Sequence, residues 1–246
     1  MPNTPYLDKS VRWRLNTGNL AFHELRYREV ADAILDAGLA TEVISKIGSG
    51  KEADVYLGLL HSRRVAIKAY RYYRTSHRGL RPVKAEELGQ VASREFELLS
   101  YAFVGGAPVP EPIERDEYML SMAFLGTADG PAPRLKDVRL EEPGPFLDEV
   151  LEGVERLSKA GLVHTDLSPF NILVHDGHPW VIDFADALRV DRLGSSPWER
   201  LTLARTALTN GLGSLRKYFR RYGLDFEEAP RVDRIMERLD RFGLMR

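Results

Sequence analysis

His164-Thr165-Asp166-Leu167-Ser168-Pro169-Phe170-Asn171, followed by Val181-Ile182-Asp183-Phe184, sets an aspartate, an asparagine and a second aspartate at fixed spacing. Phosphoryl transfer asks little covalent chemistry of a protein and much positioning, with charge neutralised by metal and cations. These residue types meet that demand. Asp166 suits the proton of an attacking hydroxyl, Asn171 offers a carbonyl oxygen to Mg2+, and Asp183 offers a carboxylate to the metal that bridges the phosphates. His164 reads as a brace for the loop rather than as a base. Ile172-Leu173-Val174 and Trp180-Val181-Ile182 read as two short strands, joined by the turn-rich His175-Asp176-Gly177-His178-Pro179. That hairpin would bring Asn171 and Asp183 to neighbouring strand ends. The plain alternative, aspartate and asparagine as turn formers, needs no carboxylate at the far end.

A nucleotide-binding protein of this kind needs a glycine-bearing turn between strands and then a lysine on the next strand. Ile44-Ser45-Lys46-Ile47 leads into Gly48-Ser49-Gly50-Lys51-Glu52-Ala53, and Asp54-Val55-Tyr56-Leu57 resumes extended structure. Backbone N–H groups at such a turn can approach phosphate oxygens, although a plain hairpin turn reads the same way. It is not a Walker loop, which has four residues between its glycines and opens a helix. In Val65-Ala66-Ile67-Lys68-Ala69-Tyr70, Val65, Ile67 and Ala69 share one face and Lys68 falls on the other. V-A-I-K after a glycine turn matches the strand whose lysine contacts the α and β phosphates, the alternative being a snorkelling surface lysine. The helix expected over Ala85 to Phe103 carries Glu86, Glu87, Glu95 and Glu97, and spacing alone does not choose an ion-pair partner for Lys68 among them.

The glycine turn with Asp54-Val55-Tyr56, the stretch Pro131-Ala132-Pro133-Arg134-Leu135-Lys136-Asp137-Val138 and the loop His164 to Asn171 together resemble the RIO kinases, most closely the first RIO subfamily. The resemblance runs from the amphipathic helix near Glu24–Leu39 to the end of the chain. It implies an α+β, two-lobed protein-kinase-like fold, with a small β-rich N-lobe and a mainly helical C-lobe. It also implies Mg-ATP-dependent Ser/Thr kinase or ATPase activity, and a role in maturing the small ribosomal subunit, with its protein and rRNA as partners. Residue by residue, it makes Asp166 the catalytic acid/base, Asn171 and Asp183 the metal ligands, Lys68 the phosphate lysine and Glu95 its partner. Ser49, Gly50 and Lys51 would line the phosphate loop. Met122-Ala123-Phe124-Leu125-Gly126 looks like the hinge, with the Ala123 carbonyl and Leu125 amide on the adenine edge and Met122 behind it. The family is associated with an aspartyl-phosphate intermediate, so Asp183 would double as a phosphoacceptor.

Several positions depart from ordinary protein kinases. Thr165 stands where many have arginine, Ser168 where protein-serine kinases have the loop lysine, Ala185 where glycine follows Asp183-Phe184, and no A-P-E segment follows. Efficient phosphorylation of a peptide is thereby in question, and ATP hydrolysis or self-modification stands beside it. Ser196-Pro197-Trp198-Glu199 reads as a helix start, with Ser196 as N-cap and Glu199 closing a capping box. Two rivals remain. Small-molecule phosphotransferases share H-x-D-x-x-x-x-N but usually insert a longer segment between hinge and catalytic loop, and a nucleotide-switched assembly factor would keep the same residues without kinase turnover.

The 246 residues, 43% of them hydrophobic, suffice for a sizeable core. Expected boundaries are a helical extension over 1–40, an N-lobe with hinge over 41–125 and a C-lobe over 126–246. A net charge of −1 excludes a global field drawing the protein to nucleic acid or membrane. Locally, His61 to Ala85 holds eight basic residues and no acidic one. Its segment Arg71–Arg81 would be a loop that either contacts rRNA through phosphates and stacking or is simply solvated, with Thr75 and Ser76 as candidate self-phosphorylation sites. In Leu215–Tyr222, Leu215, Tyr218 and Phe219 should face the core and leave the basic residues outside. The chain has no cysteine, no apolar run long enough to span a bilayer and no secretory signal, which together give an expectation of a cytoplasmic protein.

Overall fold

The computed structural model describes residues 27–50, 53–70, 85–190 and 196–244. Lys51, the Arg71–Arg81 segment with Thr75 and Ser76, and the residues before Tyr27 lie outside them. The chain divides into two compact units, Met1–Arg94 with Ile113–Phe124, and Glu95–Pro112 with Leu125–Arg246.

In the first unit, helix α1 (Tyr27–Asp36) buries Val30 and Ile34, a one-turn spacing that gives it a single apolar stripe. It stops where Gly38 enters the left-handed region at φ 70°, with the Leu39 N–H on the Ile34 carbonyl and the Gly38 N–H on that of Leu35. This pair of bonds satisfies carbonyls that the helix end would leave orphaned. Strands β1 (Glu42–Ser49), β2 (Ala53–Leu60), β3 (Arg63–Tyr70), β4 (Pro112–Asp116) and β5 (Met119–Ala123) form one sheet in the order β1-β2-β3-β5-β4. Val65, Ile67 and Ala69 of β3 pack with Val30, Ile34, Leu39, Tyr56 and Met119 in one core. The period of two puts Lys68 on the opposite face, in register with Val55 on β2 and Leu120 on β5.

The second unit is mainly helical. Helix α2 (Ala85–Val104) enters it from Glu95 onward. Helix α3 (Pro143–Lys159) buries Phe146, Leu147, Val150, Leu151, Val154 and Leu157, and Pro143 is well placed in its first turn. Helices α4 (Pro197–Phe219) and α5 (Glu228–Leu244) follow, and Leu215, Tyr218 and Phe219 are buried as their spacing predicts. Two small antiparallel pairs complete the unit, β6 (Leu162–Val163) with β9 (Leu188–Arg189) and β7 (Ile172–His175) with β8 (His178–Val181).

Two local expectations need correction. The β7–β8 connection is not five residues but the pair Asp176-Gly177, because His175 and His178 are themselves paired. Both turn residues have positive φ, 51° and 80°, which is the twist a two-residue hairpin favours. Ser196 does occupy the N-cap of α4, yet it makes no side-chain capping bond. Ser196, Trp198 and Glu199 are all exposed, so water meets the first amides and no capping box is required.

Candidate active site

The second unit presents its two candidate carboxylates on buried anchors. Asp166 and Asp183 are exposed, whereas His164, Asn171 and Phe184 are buried. Asn171 donates its side-chain amide to the Asp166 carbonyl (2.8 Å) and to Oδ2 of the same residue (2.9 Å). Those two bonds turn the Asn171 carbonyl oxygen to whatever lies beyond the loop. The Asn171 backbone carbonyl accepts the Ile182 N–H at 3.0 Å, so the hairpin ladder itself carries Asn171 and Asp183 to adjacent strand ends.

His164 is the brace that the sequence suggests. Its Nδ1 accepts the Asp166 N–H (3.3 Å), which leaves Nε2–H to donate to the Ile182 carbonyl (3.0 Å). Burial is the first cause of a lowered pKa, against smaller opposing effects from the Ile182 bond and the two aspartates, so the ring stays neutral. The Phe184 ring meets it edge-on at 5.1 Å between centroids.

Asp183 holds φ at 71°, a left-handed conformation that costs a non-glycine residue about 1 kcal/mol. The next residue's N–H donates at 3.1 Å to Oε1 of Glu95, which is only 2% exposed. Of the four glutamates that the sequence offers on α2, Glu95 and Glu97 are both engaged with the segment after Asp183, the latter through Arg189. Leu135 of the Pro131–Val138 stretch is fully buried, and the Lys136 N–H donates to the Pro169 carbonyl (3.1 Å), tying this stretch to the catalytic loop.

The first unit carries the other candidates. Ser49 Oγ donates to Asp54 (2.7 Å), and the Gly50 N–H closes the turn on the Ala53 carbonyl (2.9 Å). Gly50 thus spends its amide inside the turn. The Lys68 ammonium lies 5.1 Å from the centroid of the Tyr70 ring. At the end of β5, Met122 pairs with Ala66 and Ala123 with Val65, while the Phe124 N–H donates to the Arg64 carbonyl (3.4 Å). That alternation points the Ala123 N–H and C=O away from β3. Leu125, in the second unit, is nearly buried, and its carbonyl accepts the Ala132 N–H (2.9 Å).

Among the described residues no three His, Asp or Glu side chains converge as a self-sufficient metal cage. Mg2+ does not ask for one: it is commonly held by one or two protein oxygens, with phosphates and water completing the shell. The hard oxygens of Asn171 and Asp183 fit that need. Sequence reasoning misses Arg189, Tyr101 and Gly211, because Arg189 meets Glu97 and Tyr101, and Gly211 meets Leu167, across long separations in the chain.

A family model for the RIO domain matches residues 54–231. The RIO-type serine/threonine-protein kinase Rio1 of Haloferax volcanii is 33% identical over 213 residues, covering 81% of this chain and 69% of that protein. The serine/threonine-protein kinase RIO1 of Caenorhabditis elegans is 30% identical over 225 residues, covering 84% of this chain but only 43% of the relative. A crystal structure of the Rio2 kinase–ADP/Mg2+–phosphoaspartate complex from Chaetomium thermophilum aligns with a TM-score of 0.64 at 20% identity, over 97% of this chain and 80% of that one. The last is a likeness of fold, and the fold is protein-kinase-like, with a β-sheet N-terminal part and a helical C-terminal part.

Proposed function

The chain belongs to the RIO family of serine/threonine-protein kinases, and on that premise we propose that it transfers the γ-phosphoryl group of Mg-ATP. The observation that carries this reading is the double hydrogen bond from Asn171 to Asp166, which makes one rigid unit of the proton acceptor and a metal ligand. Asp166 takes the proton of the attacking hydroxyl as the bond from the γ phosphorus to the β-bridging oxygen breaks and ADP leaves. Asn171 and Asp183 hold Mg2+, which neutralises charge on the phosphates when bound. Lys68 contacts the α and β phosphates, with Ser49, Gly50 and Lys51 at the phosphate turn and Met122, Ala123 and Leu125 at the adenine.

The acceptor follows from the departures in sequence. With Ser168 in place of the loop lysine and no peptide-docking segment, the acceptor is water or the protein itself rather than a free peptide. Asp183 is the residue to examine as a transient acceptor, given the phosphoaspartate in the fungal Rio2 complex. Action in small ribosomal subunit maturation in the cytoplasm, with protein and rRNA partners, is part of the proposal and is supported by family membership.

The test is incubation of the purified protein with Mg2+ and γ-labelled ATP, beside Asp166→Ala and Asp183→Asn. Hydroxylamine-resistant label, lost in both variants, supports a Ser/Thr self-kinase. Label released by hydroxylamine and missing from Asp183→Asn supports an aspartyl-phosphate ATPase cycle. Absence of both label and ATP consumption in the wild type removes the catalytic reading.

A further inference from the structure

The left-handed backbone at Asp183 persists only if its surroundings over-determine it. Its neighbours supply several fixings. The Phe184 N–H is on Glu95, the Ala187 N–H returns to the Phe184 carbonyl (3.0 Å), and Thr165 Oγ1 donates to the Asp186 carbonyl (2.8 Å). Leu188 and Arg189 then pair with Val163 and Leu162. Every one of these except the Glu95 bond lies within the loops themselves. The orientation of Asp183 therefore depends on how the Glu95–Val104 part of α2 is held.

One side chain at the end of the segment grips this part of the helix from outside its buried face. Arg189 donates through a terminal guanidinium nitrogen to Glu97 Oε1 (3.1 Å), and its guanidinium carbon stands 3.8 Å from the centroid of the Tyr101 ring. Glu97 and Tyr101 are one turn apart and form a single slot, in which the Arg189 side chain is only 17% exposed. Glu95 and Glu97 are two residues apart, about 200° around the helix at ~3.6 residues per turn. The segment following Asp183 thus grips α2 on two nearly opposite faces, through Phe184 on one and Arg189 on the other. Leu98, Leu99 and Ala102 seat this part of the helix in the core, and the two grips on opposite faces add to that seat against rotation about the helix axis.

We propose that Arg189 is a positioning residue for Asp183, acting with Glu97 and Tyr101 to fix the roll of α2 and so keep Glu95 on the Phe184 N–H. The inference rests on the reading of Asp183 as a metal ligand. Glu97 is 41% exposed and solvent screens the pair, so an Arg189 that only added stability would leave the site untouched. Arginine is specified over lysine here, because a planar guanidinium pairs with a carboxylate and stacks on a ring at once, whereas an ammonium does not.

The experiment compares Arg189→Met, Arg189→Lys and Glu97→Gln with wild type in the full chain. Three quantities are read: amide hydrogen exchange of a peptide containing Phe184, the Mg2+ concentration for half-maximal ATP turnover, and Tm. Arg189→Met should exchange at Phe184 roughly ten-fold faster and need roughly ten-fold more Mg2+, as loss of outer support for a metal ligand does, while Tm barely moves. Arg189→Lys should fall between it and wild type. Glu97→Gln repeats the test should Arg189→Met fail to fold. Unchanged exchange and unchanged Mg2+ demand in both Arg189→Met and Glu97→Gln overturn the proposal. A wild type without ATP turnover refutes the kinase reading instead, and the exchange measurement then decides the grip on its own.

Discussion

Replacing Gly211 with alanine should separate stability from turnover, because this glycine of α4 abuts the residue after Asp166. A Cβ at position 211 would stand 3.0 Å from the Leu167 Cβ, 3.5 Å from its carbonyl oxygen and 3.6 Å from one of its methyl carbons. Ordinary contacts begin at 3.4 Å, so the Leu167 Cβ must retreat by about 0.4 Å. Gly211 and Leu167 border a small cavity shared with Val154, Leu157, Leu162, His164 and Leu208, which leaves the leucine a little room to move. Alanine in a helix interior gains about 1 kcal/mol over glycine, and the displaced packing should offset much of it, so Tm should stay within about 2 °C of wild type. Turnover should not be spared. Asp166 is bonded to Leu167, and a misplacement of about 1 Å costs roughly 100-fold, so a shift of about 0.4 Å scales to roughly six-fold in kcat. Thermal melting beside steady-state ATP turnover at saturating Mg2+ makes the measurement. A Gly211→Ala protein that is more stable and turns over at the wild-type rate would refute the reasoning, since Leu167 would then move without carrying Asp166.

Asn171→Ala removes both tethers on Asp166 and the oxygen proposed to hold Mg2+, and should lower kcat by about 100-fold or more, measured by γ-phosphate release. The folded state holds His164 neutral below its ordinary value of 6.5, while the unfolded chain takes up the proton there. Stability from this group is therefore complete above about pH 6.5 and falls as the pH drops below it, at up to about 1.4 kcal/mol per pH unit. Denaturant titrations between pH 7 and 5 should show that slope in wild type and lose it in His164→Asn. Arg238 reaches Glu155 at 2.6 Å and Ser158 at 2.8 Å, joining α5 to α3, and Glu155 is largely shielded. Arg238→Ala should cost about 2 kcal/mol by urea unfolding and leave ATP turnover unchanged.

Much of the site was legible because its residues are local. The spacing from His164 to Asn171, the two apolar triplets after it and the alternation around Lys68 are short-range patterns that fix strand ends and faces without knowledge of distant partners. Spacing alone did not select among the glutamates of α2, and Glu95 was named only through the family resemblance, as a partner for Lys68. Helix periodicity gives each a direction but does not say which direction meets Phe184, some ninety residues later in the chain. Gly211 beside Leu167, Arg189 between Glu97 and Tyr101, and the Tyr218 hydroxyl on the Leu135 carbonyl (2.6 Å) are of the same kind. The capping box at Ser196 failed for another reason: its residues are right, but a helix end open to water has no need of it. The five-residue connection is too long because its turn-rich composition does not show that His178 and Pro179 already pair as strand. In β8 Pro179 faces Val174, whose own N–H points outward to the Pro133 carbonyl, so the amide that proline lacks would have met no ladder partner.

The same hairpin offers a handle for the experimentalist. Asn171 and Asp183 stand at its open end, while Asp176 and Gly177 close the other, with Asp176 well exposed. Four rungs of pairing separate the two ends. A cysteine carrying a fluorophore at Asp176, or a short peptide tag spliced between Asp176 and Gly177, would ride on the catalytic hairpin without entering the chemistry. Labels placed there could follow the loop's response to nucleotide in a protein whose native sequence contains no competing thiol.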